Sequence, residues 1–439
     1  MFRIEGRRVY LVAAWCAALV VSSGWAATPE LPDEGDAAPD VQDASPAAPV
    51  ASGVQDVRAE DGVPTSPVVV PSRTSAPPIA KAKPLPIADD VIARARLDGR
   101  GKLVIGSGAS ARTLTVVPGL QQKLTAILAS YETPYAAVVA MDPKTGRVLS
   151  MAEHSEADRT MRGLPVKAIF PAASIFKIVT AAALLDAGMK PDDTECSHGA
   201  KRRLSARHLE DSARDRTCYT LAAALGHSVN GVFAKLTAKH LTREQLLWWA
   251  NRFGFNHRIE FAIPTDISPA AVPEDPFEFA STGAGFGDVF LSPLHGAALA
   301  SVAATGGVWR NPVLFDDGSP VPDAPRVMTE EQAKQLTRML EETVTTGTAR
   351  RVFRQRGFRV PGAVGKTGTL ADKHPFRDYS WFVGFAPKEN PEVVVSAVIV
   401  NDQRWRIRAP WLGREALRLS LAAKPALPGR AGPTQAASR

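Results

Sequence analysis

Cysteine and histidine are scarce in this chain of 439 residues, at three and eight. Cys16 falls in an N-terminal apolar run, which leaves Cys196 and Cys218 for the remainder. Two cysteines without neighbouring paired ligands make no zinc site, and His154, His198, His208 and His295 show no ligand spacing either. No His-Glu-x-x-His helix and no Gly-x-Ser-x-Gly elbow occurs, which removes the zinc-protease and nucleophile-elbow chemistries. Gly283-Ala284-Gly285-Phe286-Gly287 opens no strand-helix-strand unit and reads as a packed loop, not a dinucleotide site. Aromatic residues are few, at 7%. No internal repeat is visible. What chemistry the chain carries must therefore run without metal, cofactor or catalytic histidine.

The N-terminus reads as an export signal. Arg3, Arg7 and Arg8 precede an uncharged run from Val9 to Val21, which is short for a spanning helix. Residues 1–26 are thus a signal peptide or a membrane anchor. Residues 27–94 are rich in Pro, Ala, Ser and Val, carry scattered acids such as Asp33, Glu34 and Asp36, and keep no period. Such a stretch buries too little apolar surface to offset its ordering entropy and reads as a disordered tether. Its span is about 45 Å. The net charge is +7, and the tether holds many of the acids, so the remainder is more basic than the total. Export sets nucleic acid aside as the expected partner, and the positive balance suits an anionic envelope polymer or a carboxylate substrate. In an oxidising compartment Cys196 and Cys218 either bridge or remain free thiols.

Regular patterning runs over residues 95–424, with a loose tail at 425–439. Pro118 leads into a helix ending near Tyr131; Tyr135–Met141 and Arg147–Ala152 flank the turn Asp142-Pro143-Lys144-Thr145-Gly146 as a hairpin. Ser174 is expected to begin a long helix that stops near Gly188, and the region from Lys190 to about Val272 is expected to be mainly helical. Ser292-Pro293 starts a helix that ends at Gly306-Gly307, and Thr329–Val344 is amphipathic. Three strands follow, Gly362–Thr369, Tyr379–Ala386 and Val393–Val400, then a helix from Glu415 to Ala423. Strands from both ends of the domain predict an α+β fold: an antiparallel sheet of about five strands flanked by helices, with an inserted helical lobe. A cleft between sheet and lobe is the natural site.

Three clusters carry the chemistry. Ser174-Ile175-Phe176-Lys177 puts a hydroxyl and an amine at i and i+3 on one helical face. A lysine desolvated among Ala172, Ala173, Ile175 and Phe176 is neutral enough to take the serine's proton. Ser228-Val229-Asn230 offers a proton-relaying hydroxyl and an amide that can hold a substrate amide. Lys366-Thr367-Gly368 follows an apolar strand and leads into Thr369. Lys366 and Thr367 can bind a carboxylate, Gly368 allows close approach, and the N–H groups of Thr369 and Ser174 can form an oxyanion hole. Taken alone, Ser174-x-x-Lys177 and Ser228-x-Asn230 read more readily as helix capping with a solvated lysine, and Lys366 as a solvated lysine on an ordinary strand. A second Lys-Thr-Gly, Lys144-Thr145-Gly146, is turn chemistry. The order of the three is what selects a serine acyl-transfer enzyme.

In that order the clusters resemble the transpeptidase domain of penicillin-binding proteins. The resemblance extends over Ala137–Met151, Phe170–Lys177, Thr282-Gly283 through Ser292-Pro293-Leu294, Gly347-Thr348-Ala349 and Trp381–Pro387. It implies acylation of Ser174 by a D-Ala-D-Ala stem peptide and transfer to an acceptor amine. Lys177 would be the base, Ser228 and Asn230 the relay and clamp, and Lys366, Thr367 and Thr369 the carboxylate and oxyanion holders. Penicillins would acylate the same serine. The implied partners are stem peptides and β-lactams, with a membrane only through the N-terminal segment. A D,D-carboxypeptidase uses water in place of the amine. A class D β-lactamase is a rival against which Asn230 argues, and a non-catalytic sensor of stem peptide or β-lactam is a rival of another kind.

Overall fold

The computed structural model describes residues 91–199, 204–318, 320–373 and 375–423. The export signal, nearly all of the tether and the C-terminal tail lie outside them. Strands β1 (Arg96–Leu97), β2 (Leu103–Ile105) and β3 (Arg112–Thr113) make a small antiparallel sheet at the start. Helix α1 (Pro118–Tyr131) has Pro at its first position, where the missing N–H costs no hydrogen bond, and buries Leu120, Leu124 and Leu128 along one face. Strands β4 (Tyr135–Met141) and β5 (Val148–Ser155) form the expected hairpin.

A short strand β6 (Phe170–Pro171) precedes a 3-10 turn over Ala173–Ile175, and α2 (Lys177–Asp186) follows. Ser174 therefore sits in a tight turn before the α-helix, not in its first α-helical turn; Ala173, at φ +48°, breaks the helical path there. The segment expected to be mainly helical is mixed. Strands β7 (Thr194–Ser197) and β8 (Thr217–Thr220) pair antiparallel with Cys196 opposite Cys218, and the two cysteines form a disulfide. Four-residue strands are too short to impose a readable alternation. Helices α3 (Leu221–Gly226), α4 (Asn230–His240) and α5 (Arg243–Arg252) complete the lobe, and residues 254–275 are largely irregular.

Helix α6 (Pro276–Gly283) leads through the glycine loop to β9 (Phe290–Leu291), which pairs with β6. Helix α7 (Pro293–Ala304) is capped by Ser292 and is buried on every side. Helix α8 (Glu330–Thr345) starts with a reciprocal cap between Thr329 and Gln332, and short α9 (Arg350–Phe353) follows. Strands β10 (Val364–Lys373), β11 (Phe376–Ala386) and β12 (Val393–Asn401) come next, then α10 (Ala409–Ala423).

The main sheet is antiparallel, in the order β10-β11-β12-β4-β5. Both faces are covered, so β12 is buried along its whole length. Val393, Val395, Ala397 and Ile399 join the core under α1 and α10, while Val394, Val398 and Val400 join the larger core around α2, α4 and α7. β10 is left as the edge strand facing the helical lobe. Among the described residues no helix is long and apolar enough to cross a membrane.

Candidate active site

Three elements from distant parts of the chain bring the motifs together. The turn before α2 carries Ser174 and α2 itself begins with Lys177; the α3–α4 junction carries Ser228 and Asn230; the edge strand β10 carries Lys366 to Thr369. Lys177 Nζ lies 2.8 Å from Ser174 Oγ and 2.7 Å from Asn230 Oδ1, and it also donates to the carbonyl of Ala284. Lys366 Nζ donates to Ser228 Oγ at 2.9 Å and to the Thr367 carbonyl at 2.8 Å. Thr367 Oγ1 meets Thr348 Oγ1 at 2.5 Å. Gly368 packs against the serine turn: a Cβ there would stand 3.2 Å from Ile175 Cγ1 and 3.3 Å from the Ala172 carbonyl. Thr369 is exposed at the open edge of the strand.

The two lysines are fully buried, and among the described residues neither has a carboxylate partner. Burial pushes Lys177 well below the usual lysine range, and the charge of Lys366 pushes in the same direction. Burial alone lowers Lys366 to about 7. The three oxygens around Lys177 suit an ammonium, which donates to each, and equally the uncharged form that its burial favours. A neutral amine has two N–H donors and one lone pair. Asn230 Oδ1 and the Ala284 carbonyl are acceptors for the two donors, which leaves the lone pair facing the Ser174 hydroxyl. The Phe233 ring lies 5.7 Å from Nζ, near the outer limit of about 6 Å for a cation–π contact, too far to restore the charge.

The glycine loop holds this arrangement. Gly285 has φ +88°, and a Cβ there would stand 2.4 Å from the Ala173 carbonyl. Thr180 Oγ1 donates to the Gly283 carbonyl at 2.8 Å, tying the loop to α2. The loop is thus packed against the serine turn, as its sequence suggests, and its Ala284 carbonyl is a lysine partner that the motif pattern did not reveal. Thr348 was legible only as part of a family-like Gly-Thr-Ala run; its contact with Thr367 needs the fold. Trp381 is fully buried and donates to the Pro171 carbonyl at 2.8 Å, bracing the strand before the serine turn against β11. His227 is exposed beside the site. Lys144 belongs to the β4–β5 turn and bonds Asn390 at 2.6 Å.

Residues 136–413 match the family model of the penicillin binding protein transpeptidase domain. The chain belongs to that family. Stage V sporulation protein D of Bacillus subtilis is 28% identical over 320 residues, covering 65% of this chain and 48% of that protein. Peptidoglycan D,D-transpeptidase PbpA of Mycolicibacterium smegmatis is 27% identical over 314 residues, covering 62% of this chain and 63% of its own. This penicillin-binding protein chain therefore spans less than two thirds of the length of either relative. The crystal structure of the D,D-transpeptidase domain of a peptidoglycan glycosyltransferase from Eggerthella lenta shares the fold, with a TM-score of 0.59, 23% identity, and coverage of 75% of this chain and 94% of that one.

Proposed function

We propose that this chain is an exported serine D,D-transpeptidase that cross-links peptidoglycan and is acylated by penicillins. One observation carries the reading: a buried lysine, without a counter-ion among the described residues, stands 2.8 Å from Ser174 Oγ, while a second supports Ser228. In this reading Lys177 Nζ takes the Ser174 proton as Oγ attacks the carbonyl of the penultimate D-Ala. The N–H groups of Ser174 and Thr369 receive the oxyanion. Ser228, held by Lys366, hands a proton to the departing D-Ala amine. Asn230 orients the substrate amide, and Lys366 with Thr367 faces its terminal carboxylate. An acceptor amine then takes the acyl group from Ser174. The Cys196–Cys218 disulfide supports an oxidising compartment outside the cytoplasm, in the periplasm or at the outer face of the cytoplasmic membrane, and residues 1–26 are read as the signal peptide or anchor.

The test is incubation with a fluorescent penicillin and mapping of the labelled peptide. The label is expected on Ser174, to persist, and to vanish in Ser174→Ala. Undiminished labelling of that variant would remove the nucleophile, and rapid turnover of the label would favour a β-lactamase. With stem peptide and an amine acceptor, a cross-linked product separates transpeptidation from hydrolysis by water.

A further inference from the structure

The loop between β12 and α10 and the neighbouring end of the β10–β11 hairpin hold a basic pocket that the acyl-transfer chemistry does not use. It has a volume of about 610 Å³ and is lined by Phe376, Arg377, Asp402, Gln403 and Arg404. Trp405 stands beside it with 49% of its surface exposed, and the Arg408 guanidinium lies 3.6 Å from its ring centroid. Asp402 and Asp372 in this region are engaged. Asp402 accepts from the Arg404 N–H at 2.8 Å and from Arg406 at 3.0 Å, and Asp372 accepts from the Tyr379 hydroxyl at 2.9 Å. Asp378 is buried close to Arg408. Among the described residues neither the Arg377 nor the Arg404 guanidinium forms an ion pair with a carboxylate; Arg377 donates to the Phe376 carbonyl at 3.0 Å, and its charge reaches Asp402 across the pocket.

The position of this pocket relative to Ser174 gives it meaning. Arg377 is opposite Asp372, three residues beyond Thr369 along β10, on the order of 10 Å away. Alternation puts Lys366, Gly368, Leu370 and Asp372 on one face of the sheet, and directly opposed residues share a face, so Arg377 belongs to the side that meets the serine turn. A polymer lying along the edge of β10 runs onto it.

We propose that this pocket is a docking subsite for the peptidoglycan strand outside the reacting stem peptide, with Trp405 stacking against a sugar ring and Arg377 and Arg404 binding free carboxylates. The proposal deepens the transpeptidase reading and rests on it. Arg matches a carboxylate with two parallel hydrogen bonds, and an exposed indole offers a flat apolar face with a polar edge. A lipid surface fits less well, because interfacial binding scales with inserted apolar area and here one ring is offered, partly covered by Arg408.

The test is co-sedimentation of the full chain with purified insoluble peptidoglycan. The triple variant Arg377→Glu, Arg404→Glu, Trp405→Ala should bind it about tenfold more weakly than the parent, with penicillin acylation of Ser174 unchanged. On the parent protein, peptidoglycan whose carboxylates have been amidated should be retained about tenfold less well. Equal retention of the triple variant, or of the parent on amidated polymer, overturns the subsite. A variant that loses binding to anionic phospholipid vesicles while keeping its binding to peptidoglycan overturns it in favour of a membrane surface. Absence of penicillin label on parental Ser174 would instead overturn the acyl-serine reading, whatever the sedimentation result.

Discussion

Three lysines of this domain are equally buried and differ in charge. Lys235 is enclosed by Asp215 at 2.6 Å, Asp211 at 2.8 Å and Glu195 at 3.3 Å, with the Cys196 carbonyl at 3.1 Å. Burial works against its charge, but the hydrogen bonds to Asp211 and Asp215 outweigh that cost and hold it above the ordinary lysine value. Among the described residues Lys177 and Lys366 meet only hydroxyl, amide and carbonyl oxygens, so burial prevails and both are lowered. Lys177→Ala is expected to slow penicillin acylation by about 10²–10⁴-fold, the usual worth of a positioned base. In the parent the acylation rate should fall as pH drops through the depressed Lys177 value. A flat profile, or near-normal acylation in the variant, would contradict the base assignment. For stability the sign follows from proton counts. Lys366 is neutral above about 7 when folded but charged up to 10.5 when unfolded. Folding in that window releases a proton, so stability rises with pH between those values and is lowest below about 7. Urea titrations should show a shallower rise with pH in Lys366→Met. Equal slopes would mean that Lys366 keeps its charge in the fold.

At the scale of elements, the edge position of β10 and the closeness of the glycine loop matter most. An edge strand keeps one row of backbone groups unpaired within its sheet, and here that row faces the helical lobe that brings Ser174 and Ser228. The loop from Gly283 to Gly287 seals the other side. Gly285→Ala forces a side chain into φ +88° and against the Ala173 carbonyl. It is expected to cost about 2 kcal/mol or more in urea unfolding and to lower acylation more than stability, because the displaced Ala284 carbonyl is a partner of Lys177. A variant as stable as the parent would show that the loop yields freely. The elements that were legible are those whose local signals agree. The amphipathic pattern from Thr329 to Val344 announces α8, Ser292-Pro293 announces α7, and apolar runs announce β11 and β12. Helix α10 starts at Ala409, earlier than the charge pattern around Glu415 suggests, because Arg414 and Glu415 pair with each other inside the core at 2.9 Å. Buried charges hid an inward-facing turn.

The main sheet of the domain lies between two helical layers, with a lobe inserted between its second and third strands in chain order. That lobe carries Ser228 and Asn230, and its outer part is stapled by the Cys196–Cys218 disulfide across β7 and β8. A crosslink over 22 residues restricts the unfolded chain, so replacing both cysteines by alanine should lower stability by about 3 kcal/mol. Penicillin labelling of the folded variant should persist, since Lys235 and its carboxylates still tie the hairpin to α4. Loss of labelling with the fold retained would assign the disulfide a direct part in holding Ser228 and Asn230.

By itself the sequence determined the residue types, their order and the five-strand antiparallel plan, because these rest on short-range signals: a spacing of three residues, apolar strands, caps and turns. The i, i+3 spacing already brings Lys177 to Ser174. Only the tertiary structure decided that Lys366 meets Ser228 across 138 residues, that Ala284 supplies a carbonyl to Lys177, and that no carboxylate among the described residues reaches either lysine. The charge state of a buried amine is set by everything packed around it, and those neighbours come from remote parts of the chain that no local pattern records.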